Sequence, residues 1–255
     1  MRSFIYGPVP SWRLGRSLGV DMLSTQQKTC SFDCVYCQLG RTRKPQIRRG
    51  EFVSLDGLLP QLKKAKGAVA DYVTFSGMGE PTLAANLGEA IALAKSILNL
   101  PVAVLTNSSL ITEEAVRSDL ILADVVVAKL DAPDETVFRK INHPLKGLSF
   151  TEIVKALSLF RQKYAGKLAL QMMFINANRA LAGDMAIISE ELMPDELQLN
   201  TPLRPCGSDP LSQEELSAIQ RKFSKFKNVV NVFGASRPDV KPFNLGETLR
   251  RRPKL

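Results

Sequence analysis

Short apolar runs recur along this chain at the spacing of an α/β protein, and that cadence restricts the fold more than any single motif. Candidate strands fall at residues 19–23, 72–75, 102–105, 124–128, 168–175 and 196–199, in runs apolar enough for a sheet covered on both faces. Helix-length stretches at 83–98, 113–122, 150–164 and 184–192 lie between them with the apolar spacing of crossovers. A largely parallel sheet flanked by helices follows. Periodicity alone does not separate a barrel from an open doubly wound sheet. A seventh run at 229–234 follows a polar helix expected to start near Ser212, whose hydroxyl stands before Glu214 and Glu215 as an N-cap. Residues 205–210 form the clearest break. We therefore divide the chain into a main domain at 1–205 and a C-terminal cap and basic tail at 206–255 that does not fold by itself. A length of 255 residues with 45% hydrophobic composition suffices for one sizeable core. No run approaches the roughly 18 apolar residues of a membrane span, and no apolar signal segment opens the sequence. A cytoplasmic protein without membrane association is expected.

The four cysteines are unevenly placed: Cys30, Cys34 and Cys37 lie within eight residues, and Cys206 stands far away. Such crowding on one short loop suits a metallocluster, since soft thiolates are the ligands of iron–sulfur centres. With four irons and three local cysteines, one iron keeps an open position for a small chelating molecule. The alternatives are a structural zinc site completed by Cys206, or buried thiols that merely pack. Zinc sites usually pair two separated Cys-x-x-Cys hooks, which a single triplet fits poorly.

The triplet, with Tyr36 just before its last cysteine, resembles the signature of the radical S-adenosylmethionine (radical SAM) superfamily. That resemblance implies a partial TIM barrel, of (β/α)6 type, with the short C-terminal segment as its cap. It also implies a [4Fe-4S] cluster on Cys30, Cys34 and Cys37 whose open iron binds S-adenosylmethionine (SAM), and a 5′-deoxyadenosyl radical that takes hydrogen from a substrate. An external one-electron donor is implied as well. The approach at 7–11, the run at 14–21 and the residues flanking the triplet resemble more specifically the branch of small iron–sulfur oxidoreductases and tRNA wyosine-base synthases. Those synthases carry further cluster cysteines before the motif, and none precedes Cys30 here.

Polar residues cluster just past the expected strand ends, where α/β sheets place their chemistry. Gly77, Met78, Gly79 and Glu80 follow the second strand; the glycines admit close backbone approach and Glu80 can accept from an ammonium. The stretch resembles the family's SAM-amino motif, though by itself it reads equally as a glycine turn before a helix. Thr106 and Asn107 follow the third strand and Asp131 the fourth. They resemble SAM-contacting positions, and each also suits a cap or turn. Tyr36 joins this cofactor set. Gln171, Arg204 and Arg16 are the expected substrate contacts, and Cys206 is the candidate to quench a substrate radical, with simple burial as its alternative. His143, the only histidine, sits in a loop or helix stop between Asn142 and Pro144 and founds no metal centre.

A formal charge of +9 points to an anionic partner. Basic groups at 41–44, 48–49, 63–64, 221–222 and 250–254 suit phosphates, or simply a solvated face. The expected activity is therefore hydrogen abstraction from tRNA or another anionic substrate. A protein-radical activase or peptide-modifying enzyme docking an acidic protein is the second expectation, and a non-catalytic iron–sulfur RNA-binding or regulatory module the third.

Overall fold

Asp21 decides where the first parallel strand stops. Its Oδ1 accepts from the backbone N–H groups of Leu23 (3.1 Å) and Ser24 (3.0 Å), turning the chain out of the sheet. In the computed structural model, which describes residues 3–252, the strand is consequently Gly15–Val20 and not the run at 19–23. We call it β2, since Ile5–Ser11 (β1) precedes it and pairs with it antiparallel. Pro253 and Lys254 of the basic tail lie outside the described residues, as do Met1 and Arg2.

From β2 onward every neighbour is parallel: Tyr72–Phe75 (β3), Val102–Thr106 (β4), Val125–Lys129 (β5), Lys167–Met173 (β6), Glu196–Asn200 (β7) and Val229–Asn231 (β8). The strands follow chain order through one open, strongly curled eight-stranded sheet, a half-barrel. Helices cover its outer face: Leu55–Ala65 (α1), Leu87–Leu98 (α2), Glu114–Leu120 (α3), Glu135–Asn142 (α4), Phe150–Lys163 (α5), Ala182–Leu192 (α6) and Gln213–Gln220 (α7). Six crossovers thus link seven parallel strands, so the (β/α)6 expectation holds. The run at 229–234 extends it as a further strand. Leu245–Arg251 (α8) returns to pack beside β1.

Strand alternation sorts the side chains into two layers. Val102, Val104, Val126, Leu168 and Leu170 face the helices within the main core. Ala103, Val125, Val127 and Ala169 face inward and form a small separate cluster closed by Leu14 from the β1–β2 turn. That plug gives the half-barrel a floor. The expected caps occur: Ser212 begins α7 as a capping box with Glu215, and His143 ends α4 in the left-handed conformation. Among the described residues no helix is long and apolar enough to cross a membrane.

Candidate active site

Above the floor, the C-terminal ends of the strands surround a cavity of about 510 Å³. Inward positions on the strands supply Leu105, Val127, Lys129, Gln171, Met173 and Asn200. Thr106 closes β4 beside them, and the loops beyond supply the three clustered cysteines, Gly77, Gly79, Glu80, Asn107 and Arg204. Most of the residues singled out from sequence meet in this one space.

Cys30, Cys34 and Cys37 are free thiols on the loop between β2 and α1. Backbone bonds shape it: Cys37 N–H donates to the Cys34 carbonyl (3.1 Å) and Gly40 N–H to that of Cys37 (3.0 Å). Two amides reach the sulfurs, Asn107 Nδ2 to Cys30 Sγ and Asn142 Nδ2 to Cys34 Sγ, each at 3.4 Å. Lys28 is buried beside the same loop, its Nζ donating to the Gly40 carbonyl (3.1 Å) and lying 3.7 Å from Asp33. Burial pushes the Cys30 thiol up to about 12. Among the described residues no three Cys, His, Asp or Glu side chains are gathered closely enough to hold a single metal ion. A polynuclear cluster takes one thiolate per iron and needs no such convergence.

The glycine stretch is laced to this loop. Thr29, next to Cys30, donates its N–H to the Met78 carbonyl (2.9 Å), and its own carbonyl accepts from Glu80 N–H (3.2 Å). Gly79 has φ +155°, and a Cβ there would land on the Thr29 carbonyl. Gly77, at φ +153°, similarly has no room beside Asp21. Neither position admits a side chain. Glu80 is buried with Oε1 taken by Thr82 and by Thr106 Oγ1 (2.7 Å), and Oε2 bonded to Asn107 N–H at 2.6 Å. Burial raises its pKa against these hydrogen bonds. Since a carboxylate oxygen has two lone-pair directions, Oε2 keeps one acceptor position.

Asp131, expected as a SAM contact, is placed among protein partners. It lies outside the cavity lining, 4% exposed, and accepts from the Tyr36 hydroxyl, Asn142 Nδ2 (2.8 Å) and Met173 N–H (2.8 Å). Lys129 Nζ is 3.4 Å from its Oδ1 and 4.8 Å above the Tyr36 ring. Tyr36, and with it the cysteine loop, is thereby fixed to the ends of β5 and β6. Burial, followed by the Asp131 charge, raises the Tyr36 pKa well above its ordinary value.

Three further residues stand apart from the cavity. Arg16 sits at the opposite, N-terminal end of β2 in an ion pair with Asp71 (2.6 Å). Met78 contributes its backbone to the bonding with Thr29, while its side chain is buried and does not line the cavity. Cys206 packs against the small cluster of Tyr36, Ile141 and Ile175, and its thiol donates to the Ser208 carbonyl (3.2 Å).

Sequence patterns missed Asp21 and Arg251. The two form a buried ion pair at 2.7 Å, and Asp21 Oδ2 also accepts from Met78 N–H (3.3 Å). Lys28, Asn142 and Arg13 were likewise missed. The only available signal was their polarity beside the motifs, because the pairings join residues as far as 230 positions apart.

Comparison with known proteins agrees with this fold. The family model described as the radical SAM superfamily matches residues 26–178. The chain is 36% identical over 232 residues to a UPF0026 protein of Methanocaldococcus jannaschii, covering 88% of this chain and 71% of that one. It is 38% identical over 213 residues to a UPF0026 protein of Synechocystis, covering 82% and 78% respectively. Among solved structures, SuiB of Streptococcus suis bound to S-adenosylmethionine aligns with a TM-score of 0.66 at 13% identity, over 86% of this chain and 50% of SuiB. TYW1 with a lysine-pyruvate adduct aligns with a TM-score of 0.63 at 16% identity, over 82% and 73%. At such identities the structural likeness is one of fold.

Proposed function

The chain belongs to the radical SAM superfamily, and from that premise we propose that it holds a [4Fe-4S] cluster on Cys30, Cys34 and Cys37 and cleaves SAM to abstract hydrogen from an anionic substrate. One observation carries this: the cysteine loop and the Gly77–Glu80 stretch are hydrogen-bonded to each other through Thr29, so a cluster ligand and a cofactor-binding backbone share one rigid seam. The donor set fits the group, being three free thiols in one cavity, two of them receiving amide N–H donors. A cluster held by Cys30, Cys34 and Cys37 would supply one-electron reduction of the SAM sulfonium.

The protein's own groups provide the setting. Asn107 and Asn142 stabilise negative charge on sulfur, and the buried Lys28 adds a positive charge beside the loop. Gly77 and Gly79 let SAM approach the backbone, and the open acceptor of Glu80 Oε2 suits its ammonium. Gln171, Met173 and Lys129 line the deeper wall, which we assign to substrate. Arg41, Arg43, Lys44 and Arg48 are exposed beside the cysteine loop, which favours an anionic partner such as RNA. An external donor supplies the electron. Cys206 keeps a packing role.

Anaerobic reconstitution tests the proposal. We expect about four irons per chain and release of 5′-deoxyadenosine from SAM on reduction. Uptake of stoichiometric zinc without iron, or a reduced cluster that leaves SAM intact, overturns it.

A further inference from the structure

Four arginines from four separate segments meet along the open side of the half-barrel. Arg13 comes from the β1–β2 turn, Arg204 follows β7, Arg237 follows β8 and Arg252 follows α8, and all four line the cavity. Among the described residues none of them makes an ion pair, whereas other cations around the cavity do. Arg251 has Asp21, Lys129 has Asp131 and Lys28 has Asp33. Glu196, the acid whose charge Arg13 senses, is engaged by Lys167 and Gln198, each at 2.7 Å. Arg13 Nε is buried and, among the described residues, has no hydrogen-bond partner.

Guanidinium groups crowded together without a counter-ion oppose folding. Burial and the charges of Arg252 and Arg204 push Arg13 down to about 9, and burial with Arg252 and Arg237 pushes Arg204 down to about 10. The groups are nonetheless held in place. Arg13 lies 5.0 Å over the Trp12 ring, and Arg204 Nη1 donates to Gln38 Oε1 (3.0 Å), the residue that follows Cys37. Gln38 also donates to the Arg251 carbonyl (3.2 Å), so the arginines are tied to the cluster loop.

We infer that Arg13, Arg204 and Arg252, with Arg237 beside them, form a phosphate subsite that holds a small phosphomonoester or diphosphate substrate against the SAM side of the cavity. This rests on reading the cavity as the place of hydrogen abstraction. Several guanidinium forks match a group carrying two or more charges and several acceptor oxygens better than a single carboxylate. SAM itself carries only one carboxylate. A buried Nε on a residue rising from the barrel floor favours a compact terminal phosphate over a polynucleotide backbone, for which the exposed Arg41, Arg43, Lys44 and Arg48 form a separate surface outside the lining.

The test titrates reconstituted protein calorimetrically with inorganic pyrophosphate, ribose 5-phosphate and an oligoribonucleotide without terminal phosphates. Trp12, the only tryptophan, reports the site by its emission. We expect pyrophosphate and ribose 5-phosphate to bind, to raise the melting temperature and to shift Trp12 emission. Arg204→Gln and Arg252→Gln each should weaken binding about tenfold or more. Without ligand these variants should melt at or above the wild-type temperature, since each removes a repelling charge; a purely structural arginine would lower it. Arg13→Lys, which keeps the charge but loses the fork, should also weaken binding. The subsite is refuted if millimolar pyrophosphate does not bind, if the variants bind it as tightly as wild type, or if only the oligonucleotide shows the arginine dependence. Iron content and SAM cleavage are measured on the same samples. Arginine-dependent phosphate binding without SAM cleavage overturns the radical chemistry and leaves the subsite; SAM cleavage without phosphate binding does the reverse.

Discussion

Replacing Arg251 by Leu should cost more stability than almost any other single change near the cavity. The Arg251 and Asp21 side chains are 0% and 2% exposed, and Nε donates to Asp21 Oδ2 at 2.7 Å. The other guanidinium nitrogens donate to Glu247, the Ser3 carbonyl (3.0 Å) and Ser24 Oγ (3.3 Å), and the group stands 5.1 Å over the Tyr6 ring. Leucine approximates the volume but strands the Asp21 carboxylate in a dry site. Breaking a buried pair by removing one partner costs about 3–5 kcal/mol. For a chain of this size that lowers the melting temperature by roughly 6–20 °C.

The loss should reach the cofactor side, because Asp21 Oδ2 also holds Met78 N–H and the Asp21 side chain fills the space beside Gly77. Urea unfolding and SAM affinity are measured on Arg251→Leu, Asp21→Asn and the double variant. Neutralising Asp21 in the Arg251→Leu background removes the stranded charge, so the double variant should recover at least 1 kcal/mol, roughly, relative to the sum of the single losses. Strict additivity, or an Arg251→Leu loss under about 1 kcal/mol, refutes the account of a buried pair that braces the glycine stretch.

Alanine at Cys30, Cys34 or Cys37 should abolish iron binding and SAM cleavage together, while Cys206→Ala keeps both and costs about 1 kcal/mol of packing; iron loss only in the Cys206 variant would reverse the ligand assignment. Gly79→Ala forces a Cβ onto the Thr29 carbonyl at φ +155° and should cost about 1–3 kcal/mol with much weaker SAM binding, as read by calorimetry; an unchanged affinity contradicts the seam. Burial raises the Glu80 pKa above its ordinary 4.5, so the native state holds this proton more tightly than the unfolded chain does. The associated stability is complete below pH 4.5 and lost as pH rises through the higher native value. In Glu80→Gln that decline in denaturant midpoint should disappear, and its persistence would assign it to another group.

Much of the fold was legible because β3 to β7 are apolar runs separated by amphipathic helices, a pattern set by local burial. The start of the chain was not. β1 includes Gly7, Pro8 and Pro10, which weaken any strand signal, and α1 includes Gly57 and Pro60. The site divides in the same way. The cysteines, Gly77, Gly79, Glu80 and Asn107 announce themselves by spacing and by their place after strands. Asp131 shares that place, yet its carboxylate is spent on Tyr36 and Asn142, partners that only the folded chain provides. Arg16 belongs to the run at 14–21 that carries the family resemblance, and the strand polarity places it at the end opposite the cavity, paired with Asp71.

The excess of positive charge gains meaning from where its members lie. Arg41, Arg43, Lys44 and Arg48 are exposed on the segment that follows the cluster loop, and Lys44–Pro45 pairs with Thr29–Cys30. An anion bound on that outer surface is therefore one short strand pair from the cysteines. Its electrostatic attraction is screened over about 10 Å at moderate salt, so this surface governs encounter more than orientation. Arg13, Arg204 and Arg252 are half-buried in the cavity wall and act at shorter range, and they select which group of the substrate is held once inside. The two sets should separate by salt: raising it from 50 to 200 mM, roughly, ought to slow association through the outer set far more than it weakens pyrophosphate binding at Arg13, Arg204 and Arg252. Equal sensitivity of both would mean that the interior arginines are solvated like the surface ones, and the distinction between encounter and selection would collapse.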